Sequence, residues 1–170
     1  IPGIGITKGD EPQEPLILER KGIRVGFLAY ADHKTPYAYA KEFLPFETGP
    51  AKAKMESIAR DIAALKPKVD IVVVSLHWGI EYEDEPNERQ IELGHYVIDQ
   101  GAHVLAGHHP HVQQDAVWYN GGLIIYSMGN FVFDQWARPK TRESRLYSVT
   151  LTKEGPVHAQ YRPLEIVQKD

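Results

Sequence analysis

The stretch 69-VDIVVVSLHWG-79 decides the fold class of this 170-residue chain. Its run from Val69 to Leu76 is mostly β-branched and apolar, and it lacks the strict alternation with polar residues that a half-buried strand shows. Such a run is too long for a surface strand, and the similar run 22-GIRVGFLAYA-31 is consistent with a strand that is buried on both faces, as in a parallel sheet. The run therefore predicts a buried central strand that ends at His77, just before Trp78 and Gly79.

Apolar and amphipathic segments on both sides of this stretch extend it into an α/β domain. The segment 50-PAKAKMESIARDIAALKP-67 predicts an amphipathic helix with Pro50 in its first turn, and a second helix is predicted from Asn87 to Gln100. Helices between strands supply the crossovers that parallel strands need, so we expect the apolar runs to be neighbours in one sheet. The predicted strands are Gly22–Ala31, Val69–Leu76, His103–Ala106 and Leu123–Ser127.

The last part of the chain has a different pattern. In 146-LYSVTLTKEGPVHAQYRPLEIV-167, apolar and polar residues alternate around the pair Glu154-Gly155, which predicts an antiparallel hairpin. The order β, α, β, α, β followed by further strands therefore predicts an α/β core whose C-terminal strands are antiparallel.

Composition excludes several classes of protein. The net charge of -4 argues against a nucleic-acid-binding protein, because the basic surface that such binding needs is missing. No window approaches the roughly 18 consecutive apolar residues of a membrane span. The absence of cysteine excludes disulfides and thiolate metal sites, and it is compatible with both the cytoplasm and the bacterial envelope.

The segment 105-LAGHHPHV-112 places three of the eight histidines directly after a predicted strand. Ligands of α/β sheets bind beyond the carboxyl ends of the strands, where both this segment and His77 are expected to lie. Neutral imidazoles at this edge would suit a shared divalent cation. The alternative is that these histidines form an exposed turn, with His77 bonded to backbone in the core.

We predict metal ligands and neighbouring polar contacts from this placement. Gly107 is expected to let the backbone turn sharply and Pro110 to stiffen the loop. His109 follows His108 directly and is expected to point the other way, while His95 and His103 are expected to have structural roles only. No catalytic residue is assigned. The predicted metal ligands are His77, His108 and His111, and the predicted contacts to substrate or to these ligands are Glu81, His109 and Asn130.

The polar segments around Glu81 and Asn130, and a basic segment further along the chain, also have simpler interpretations. The favoured interpretation of the acidic run around Glu81 is a solvated loop before a helix, where negative charge is favourable, and Asn130 could simply occupy a turn. The basic segment 137-ARPKTRESR-145 is the one candidate for contacting an anionic polymer, and its simpler interpretation is a mobile surface loop.

The segments 75-SLHWGIEYEDEP-86, 93-LGHYVIDQGAHVLAGHHPHVQQ-114 and 121-GGLIIYSMGNFVFDQ-135 together resemble the bacterial CapA family of capsule and poly-γ-glutamate synthesis proteins, and 17-ILERKGIRVGFLAYAD-32 extends the resemblance. That family is similar to the calcineurin-like metallophosphoesterases. The resemblance implies part of a metallophosphoesterase-like α/β sandwich with mixed sheets and a C-terminal antiparallel hairpin. It also implies two divalent ions (Mn, Fe or Zn), with His77 and His108 on one and His111 on its neighbour. The family's usual motif has one residue between these last two histidines, whereas this chain has His109 and Pro110.

The resemblance also implies motifs that this sequence does not contain. The family's Gly-Asp, Asn-Leu-Glu and Asn-His motifs supply the remaining ligands, and the early acidic residues Asp10 and Asp32 lie in other surroundings. We therefore expect residues 1–170 to form one domain that is the C-terminal part of a longer one. We also expect this chain alone to be catalytically inactive.

The function implied by the resemblance is capsule or poly-γ-glutamate synthesis or export, with metal-dependent hydrolysis by the full-length protein. The alternatives are a non-catalytic binding or scaffold component of an envelope polymer assembly, and a fold in which metal only stabilises structure. The implied partners are an envelope polymer or phosphate-containing substrate and other capsule-synthesis proteins. The implied location is the cell envelope, with an anchor in a preceding segment, although a cytoplasmic location stays open.

Overall fold

The computed structural model describes residues 4–32 and 48–167 of the chain. Its α-helices are Met55–Leu65 (α1) and Glu88–Asp99 (α2), and short 3₁₀ turns cover Lys66–Lys68 and Pro139–Arg142. The strands are Ile6–Lys8 (β1), Leu16–Arg20 (β2), Ile23–Ala31 (β3), Thr48–Pro50 (β4), Ile71–His77 (β5), Val104–His108 (β6), Ala116–Tyr119 (β7), Gly122–Ile125 (β8), Glu143–Thr152 (β9) and Gly155–Glu165 (β10).

Six of these strands form one mixed sheet in the order β2-β3-β5-β6-β8-β7. The four central strands β3, β5, β6 and β8 run parallel to one another, while the edge strands β2 and β7 pair antiparallel with β3 and β8. The prediction that four apolar runs are neighbours in one sheet is confirmed. The expected α/β class with a mixed sheet is confirmed with it.

The helices cover one face of this sheet. Val72, Val74 and Leu76 of β5 are fully buried in a core that also contains Ile62 of α1 and Leu93 of α2. On the other face of β5, Ile71 is also fully buried, but Val73 and Ser75 are half-buried and His77 is exposed. In β3, the residues that precede Leu28 and Tyr30 are only half-buried, so the prediction that Gly22–Ala31 is buried on both faces is wrong.

Helix α1 begins at Met55, five residues later than the sequence suggested. Pro50 belongs to β4, which pairs antiparallel with β1, and the prediction that it lies in the first helical turn is wrong. The next residues are also bonded to strands, because Ala51 N–H donates to the Gly5 carbonyl (2.8 Å) and Ala53 N–H donates to the Ala31 carbonyl (3.0 Å). These long-range bonds hold the chain extended up to Lys54.

Helix α2 has the bounds expected from sequence because its first turn is capped by side chains. The Asn87 side chain accepts a bond from Gln90 N–H (2.9 Å), and Asn87 N–H donates to Oε1 of Gln90 (3.1 Å). This reciprocal pair satisfies two backbone donors that a helix start otherwise leaves unbonded.

Strands β9 and β10 form the predicted C-terminal hairpin, with Thr152 opposite Gly155 beside the turn. Neither helix in the described ranges 4–32 and 48–167 is long and apolar enough to cross a lipid bilayer.

Candidate metal centre

Two of the predicted ligands lie side by side at the carboxyl edge of the sheet. His77 ends β5 and His108 ends β6, and the two are register partners in this parallel pair. Strands in a sheet are about 4.8 Å apart, so the two backbones are close neighbours at this point. His77 is exposed and His108 is half-buried, and burial lowers the pKa of His108. That imidazole is therefore neutral near pH 7, which is the form that binds a metal.

The chain then turns through an unusual backbone conformation. His109 and His111 have φ angles of 100° and 61°, a left-handed region that costs residues with a side chain about 1–3 kcal/mol each. The turn is held from the adjacent segment, where Tyr82 N–H donates to the Pro110 carbonyl (2.8 Å). Strain of this kind concentrates at functional sites, where the surrounding structure maintains it.

The turn brings three possible metal ligands together. Glu81, His109 and His111 each offer one ligand atom, and these atoms all lie within 4.8 Å of one another. Protein ligands bind divalent zinc tetrahedrally at about 2.0–2.2 Å, so two ligand atoms of one ion lie about 3–3.5 Å apart, and side-chain rotations would bring this group to that spacing. His77 lies beside it, with its ring centroid 4.5 Å from that of His109. We refer to Glu81, His109 and His111 as the ligand cluster.

Asn130 fixes the orientation of one of these imidazoles. Its Oδ1 lies 2.7 Å from Nδ1 of His111, and its Nδ2 donates to Oε1 of Gln135 (3.2 Å) and to the Thr141 carbonyl (3.0 Å). Because both acceptors face the amide nitrogen, the amide oxygen is directed at His111. Nδ1 of His111 then carries the proton, and Nε2 keeps the lone pair that a metal needs.

The remaining predicted residues have clear positions. The ligand cluster contains Glu81, His109 and His111, and His108 is outside it. His95 stacks on Tyr119 with ring centroids 3.8 Å apart, and Nδ1 of His103 accepts a bond from Val72 N–H (3.0 Å). Both of these histidines thus make structural contacts, and neither belongs to the ligand cluster.

Gly107 has a different role from the sharp turn that the sequence suggested. It lies within β6, and the positive φ angles occur at the histidines that follow it. A Cβ at this position would lie 2.0 Å from the Tyr126 carbonyl oxygen and 2.6 Å from Nε1 of Trp78. That indole N–H donates to the same carbonyl at 2.9 Å. Gly107 therefore allows the end of β6 to approach Trp78 and Tyr126 closely.

A buried pair of glutamines was not identified from the sequence. Gln90 and Gln114 are 1% and 2% exposed, and Nε2 of Gln90 donates to Oε1 of Gln114 (2.8 Å). Nε2 of Gln114 donates in turn to the carbonyls of Glu83 (2.9 Å) and Glu85 (3.0 Å). The pair ties the acidic segment that carries Glu81 to helix α2. A signal was present, because Gln90 occupies a position of the buried stripe that Leu93 and Val97 continue.

The basic segment 137–145 packs against this acidic segment. The guanidinium carbon of Arg138 lies 4.2 Å from the centre of the Tyr82 ring, and Lys140 pairs with Asp84. The Asp84 carboxylate raises the pKa of Lys140 by its hydrogen bond and its charge. Nε2 of Gln135 also donates to the Tyr82 hydroxyl (3.3 Å). This surface segment thus contacts the acidic segment through Arg138 and Lys140.

Comparison with known proteins gives a consistent set of relatives. A family model described as bacterial capsule synthesis protein PGA_cap matches residues 1–135. The chain is 38% identical over 167 residues to the PGA biosynthesis protein CapA of Bacillus subtilis, covering 98% of this chain and 43% of that protein. It is 39% identical over 150 residues to the capsule biosynthesis protein CapA of Bacillus anthracis, covering 85% and 35% respectively. The chain thus spans less than half the length of these relatives.

A solved structure shares the fold. The chain described as "Putative 5'-Nucleotidase from Staphylococcus aureus" superposes with a TM-score of 0.56 and 12% sequence identity, covering 98% of this chain and 32% of that one. At this level of identity the likeness shows the fold alone. It supports the α/β architecture with a mixed sheet that was expected from the sequence.

Proposed function

Since this chain belongs to the family of bacterial capsule synthesis proteins described as PGA_cap, we propose that it carries part of the metal site of a hydrolase that takes part in capsule or poly-γ-glutamate synthesis. The observation that carries the proposal is the ligand cluster, whose three ligand atoms lie within 4.8 Å of one another. The substrate would be a phosphate ester or a related group linked to an envelope polymer. The proposed location is the cell envelope, where other capsule-synthesis proteins would be the partners.

The chemistry of the donors suits a divalent ion such as Mn, Fe or Zn. Two imidazoles and one carboxylate form a donor set that these metals accept. Asn130 holds His111 in the tautomer that presents Nε2, and the rigid turn places His109 next to Glu81. His77 and His108 remain proposed ligands, because they are register partners at the same edge of the sheet and would serve a second ion.

Metal ions in such a site lower the pKa of a bound water and neutralise charge on a phosphoryl oxygen. In this chain, Asn130 orients the His111 imidazole. The Gln90–Gln114 pair fixes the segment that follows Glu81 by bonding to the carbonyls of Glu83 and Glu85.

A non-catalytic binding role in a polymer synthesis assembly is the second candidate. It is favoured by an exposed apolar segment next to His111, in which Phe131, Val132 and Phe133 are 67%, 85% and 45% exposed. The Phe133 ring lies 5.0 Å from that of His111. Contiguous exposed apolar side chains often mark a surface that binds another molecule.

Metal titration combined with a turnover assay tests the proposal. Mn²⁺ affinity should be measured by calorimetry in the full-length protein, together with hydrolysis of a chromogenic phosphodiester. We expect His111→Ala to weaken Mn²⁺ binding about tenfold or more, by analogy with the loss seen when a metal ligand's support is removed. His95→Ala is the matched control, because His95 stacks on Tyr119 and is not part of the ligand cluster.

The outcomes separate the two candidates. Metal binding with turnover that both depend on His111 supports the hydrolase. Metal binding without turnover supports the binding component. If the wild-type protein binds none of Mn²⁺, Fe²⁺ and Zn²⁺, the metal site is contradicted for the hydrolase and for the binding component alike.

A further inference from the structure

The Arg138 side chain stacks on an aromatic ring that also stacks with a member of the ligand cluster. Its guanidinium carbon lies 4.2 Å from the centre of the Tyr82 ring. Tyr82 follows Glu81 in the chain and stacks with His111, with ring centroids 6.1 Å apart and planes 30° apart. One ring therefore contacts both the guanidinium and a member of the ligand cluster.

The backbone around Arg138 is also fixed. Oγ1 of Thr141 lies 2.7 Å from the Arg138 carbonyl oxygen and 2.8 Å from the Gln135 carbonyl oxygen, and its single proton is shared between these two acceptors. The ion pair between Lys140 and Asp84 ties the same turn to the acidic segment. The position of Arg138 relative to the ligand cluster is thus set by several contacts in addition to its own stacking.

The charge of Arg138 remains available to a ligand. Its side chain is exposed, and no carboxylate in residues 4–32 and 48–167 lies within salt-bridge distance of it. Nearby Lys140, in contrast, is paired with Asp84. Stacking uses the face of the guanidinium plane, so the five N–H donors in the plane stay free to bind an oxyanion at two points.

We propose that Arg138 binds an oxyanion group of the substrate, a phosphate or a carboxylate, beside the ligand cluster. The inference rests on the proposed function, because it assigns a substrate contact to the same site. A bound divalent ion and the guanidinium would attract the same anion from two sides. Arg138 would thereby contribute to substrate affinity while leaving metal affinity unchanged.

The test measures anion binding and metal binding separately in the full-length protein. Calorimetric titrations with inorganic phosphate and with a γ-linked glutamate trimer are made with and without saturating Mn²⁺. Arg138→Ala should weaken binding of at least one anion about tenfold or more, the usual size of a charged hydrogen-bonding contact. Mn²⁺ affinity should stay at the wild-type value.

Arg145→Ala is the matched control. Arg145 also stacks on a tyrosine, with its guanidinium carbon 4.7 Å from the centre of the Tyr161 ring in the C-terminal hairpin. The Arg145→Ala variant should bind both anions as tightly as the wild type does. Arg138→Lys should recover only part of the affinity, because an ammonium group cannot form the two-point contact.

Each result decides the inference. Loss of phosphate affinity alone identifies a phosphate ligand, and loss of trimer affinity alone identifies a carboxylate ligand. Equal anion affinities in Arg138→Ala and the wild type, or no anion binding by the wild type, would overturn it. If the wild type binds no metal, the proposed function fails, and the titrations without Mn²⁺ still decide whether Arg138 binds an anion.

Discussion

The side-chain oxygen of Asn130 lies 2.7 Å from Nδ1 of His111. This contact joins the segment after β8 to the turn after β6. Asn130 is 7% exposed, and its amide nitrogen has two further acceptors, on Gln135 and Thr141. The contact determines which nitrogen of His111 faces the ligand cluster. Its removal should therefore affect metal binding more than folding.

The first prediction concerns this contact. Asn130→Ala should weaken Mn²⁺ binding about 10- to 100-fold, because His111 loses the acceptor that fixes its tautomer and ring orientation. Calorimetric titration of the full-length protein measures the change. Asn120→Ala provides the comparison, since Asn120 bonds to Asp99 on the surface and should leave metal affinity unchanged. Equal affinities in the two variants would show that Asn130 does not act through His111.

The second prediction concerns the buried glutamines. Gln114→Leu should lower the free energy of unfolding by about 1–3 kcal/mol, because the carbonyls of Glu83 and Glu85 and the Gln90 amide lose their partner away from water. Urea denaturation measures the change. Gln160→Leu replaces an exposed glutamine of β10 and should be nearly neutral. A neutral Gln114→Leu would mean that water replaces the lost bonds.

The third prediction concerns close packing at the end of β6. Gly107→Ala should destabilise the fold by about 1–3 kcal/mol or more, because the added methyl group would lie 2.0 Å from the Tyr126 carbonyl oxygen. The bond from Trp78 to that carbonyl should weaken as the strands separate, which Trp fluorescence would report. Gly49→Ala is the control, since a methyl group there meets nothing within 4 Å.

The fourth prediction concerns pH. Burial and the nearby Lys66 charge lower the pKa of His103 in the folded state. Below its unfolded pKa of about 6.5, the unfolded chain therefore binds more protons at this residue than the folded chain does. The free energy of unfolding should fall as pH falls from about 6.5, and rise again as pH is restored.

Urea denaturation at several pH values tests this effect. His103→Asn keeps an acceptor for Val72 N–H but removes the titrating group, so its unfolding free energy should decline less between pH 7 and pH 5. An identical decline in the variant and the wild type would assign the acid sensitivity to other residues.

Local sequence patterns predicted those strands and helices whose bounds depend on residues that are close together in the chain. The central strands follow from apolar runs such as Val69–Leu76, and α2 follows from Pro86, which opens it, and Gly101, which closes it. The start of α1 was misplaced because Pro50 pairs with Ile6, a partner that no local pattern reveals.

The site was predicted less completely for the same reason. Strand ends at one edge of the sheet indicated where the histidines would gather. The positive φ angles at His109 and His111 depend on the contact of Pro110 with Tyr82, and they bring His109 into the ligand cluster although it was expected to point away. The Gln90–Gln114 pair and the stacking of Arg138 on Tyr82 likewise depend on residues distant in the chain.

The ligand cluster draws all three of its members from residues 81 to 111, a stretch that follows β5 and closes just after β6. Its assembly therefore needs one β-α-β crossover and no contact from the C-terminal hairpin. During synthesis on the ribosome, this crossover is made before Asn130 and the hairpin. We expect metal to protect β5 and β6 early in refolding and the hairpin late, which pulsed hydrogen exchange with and without Mn²⁺ would detect.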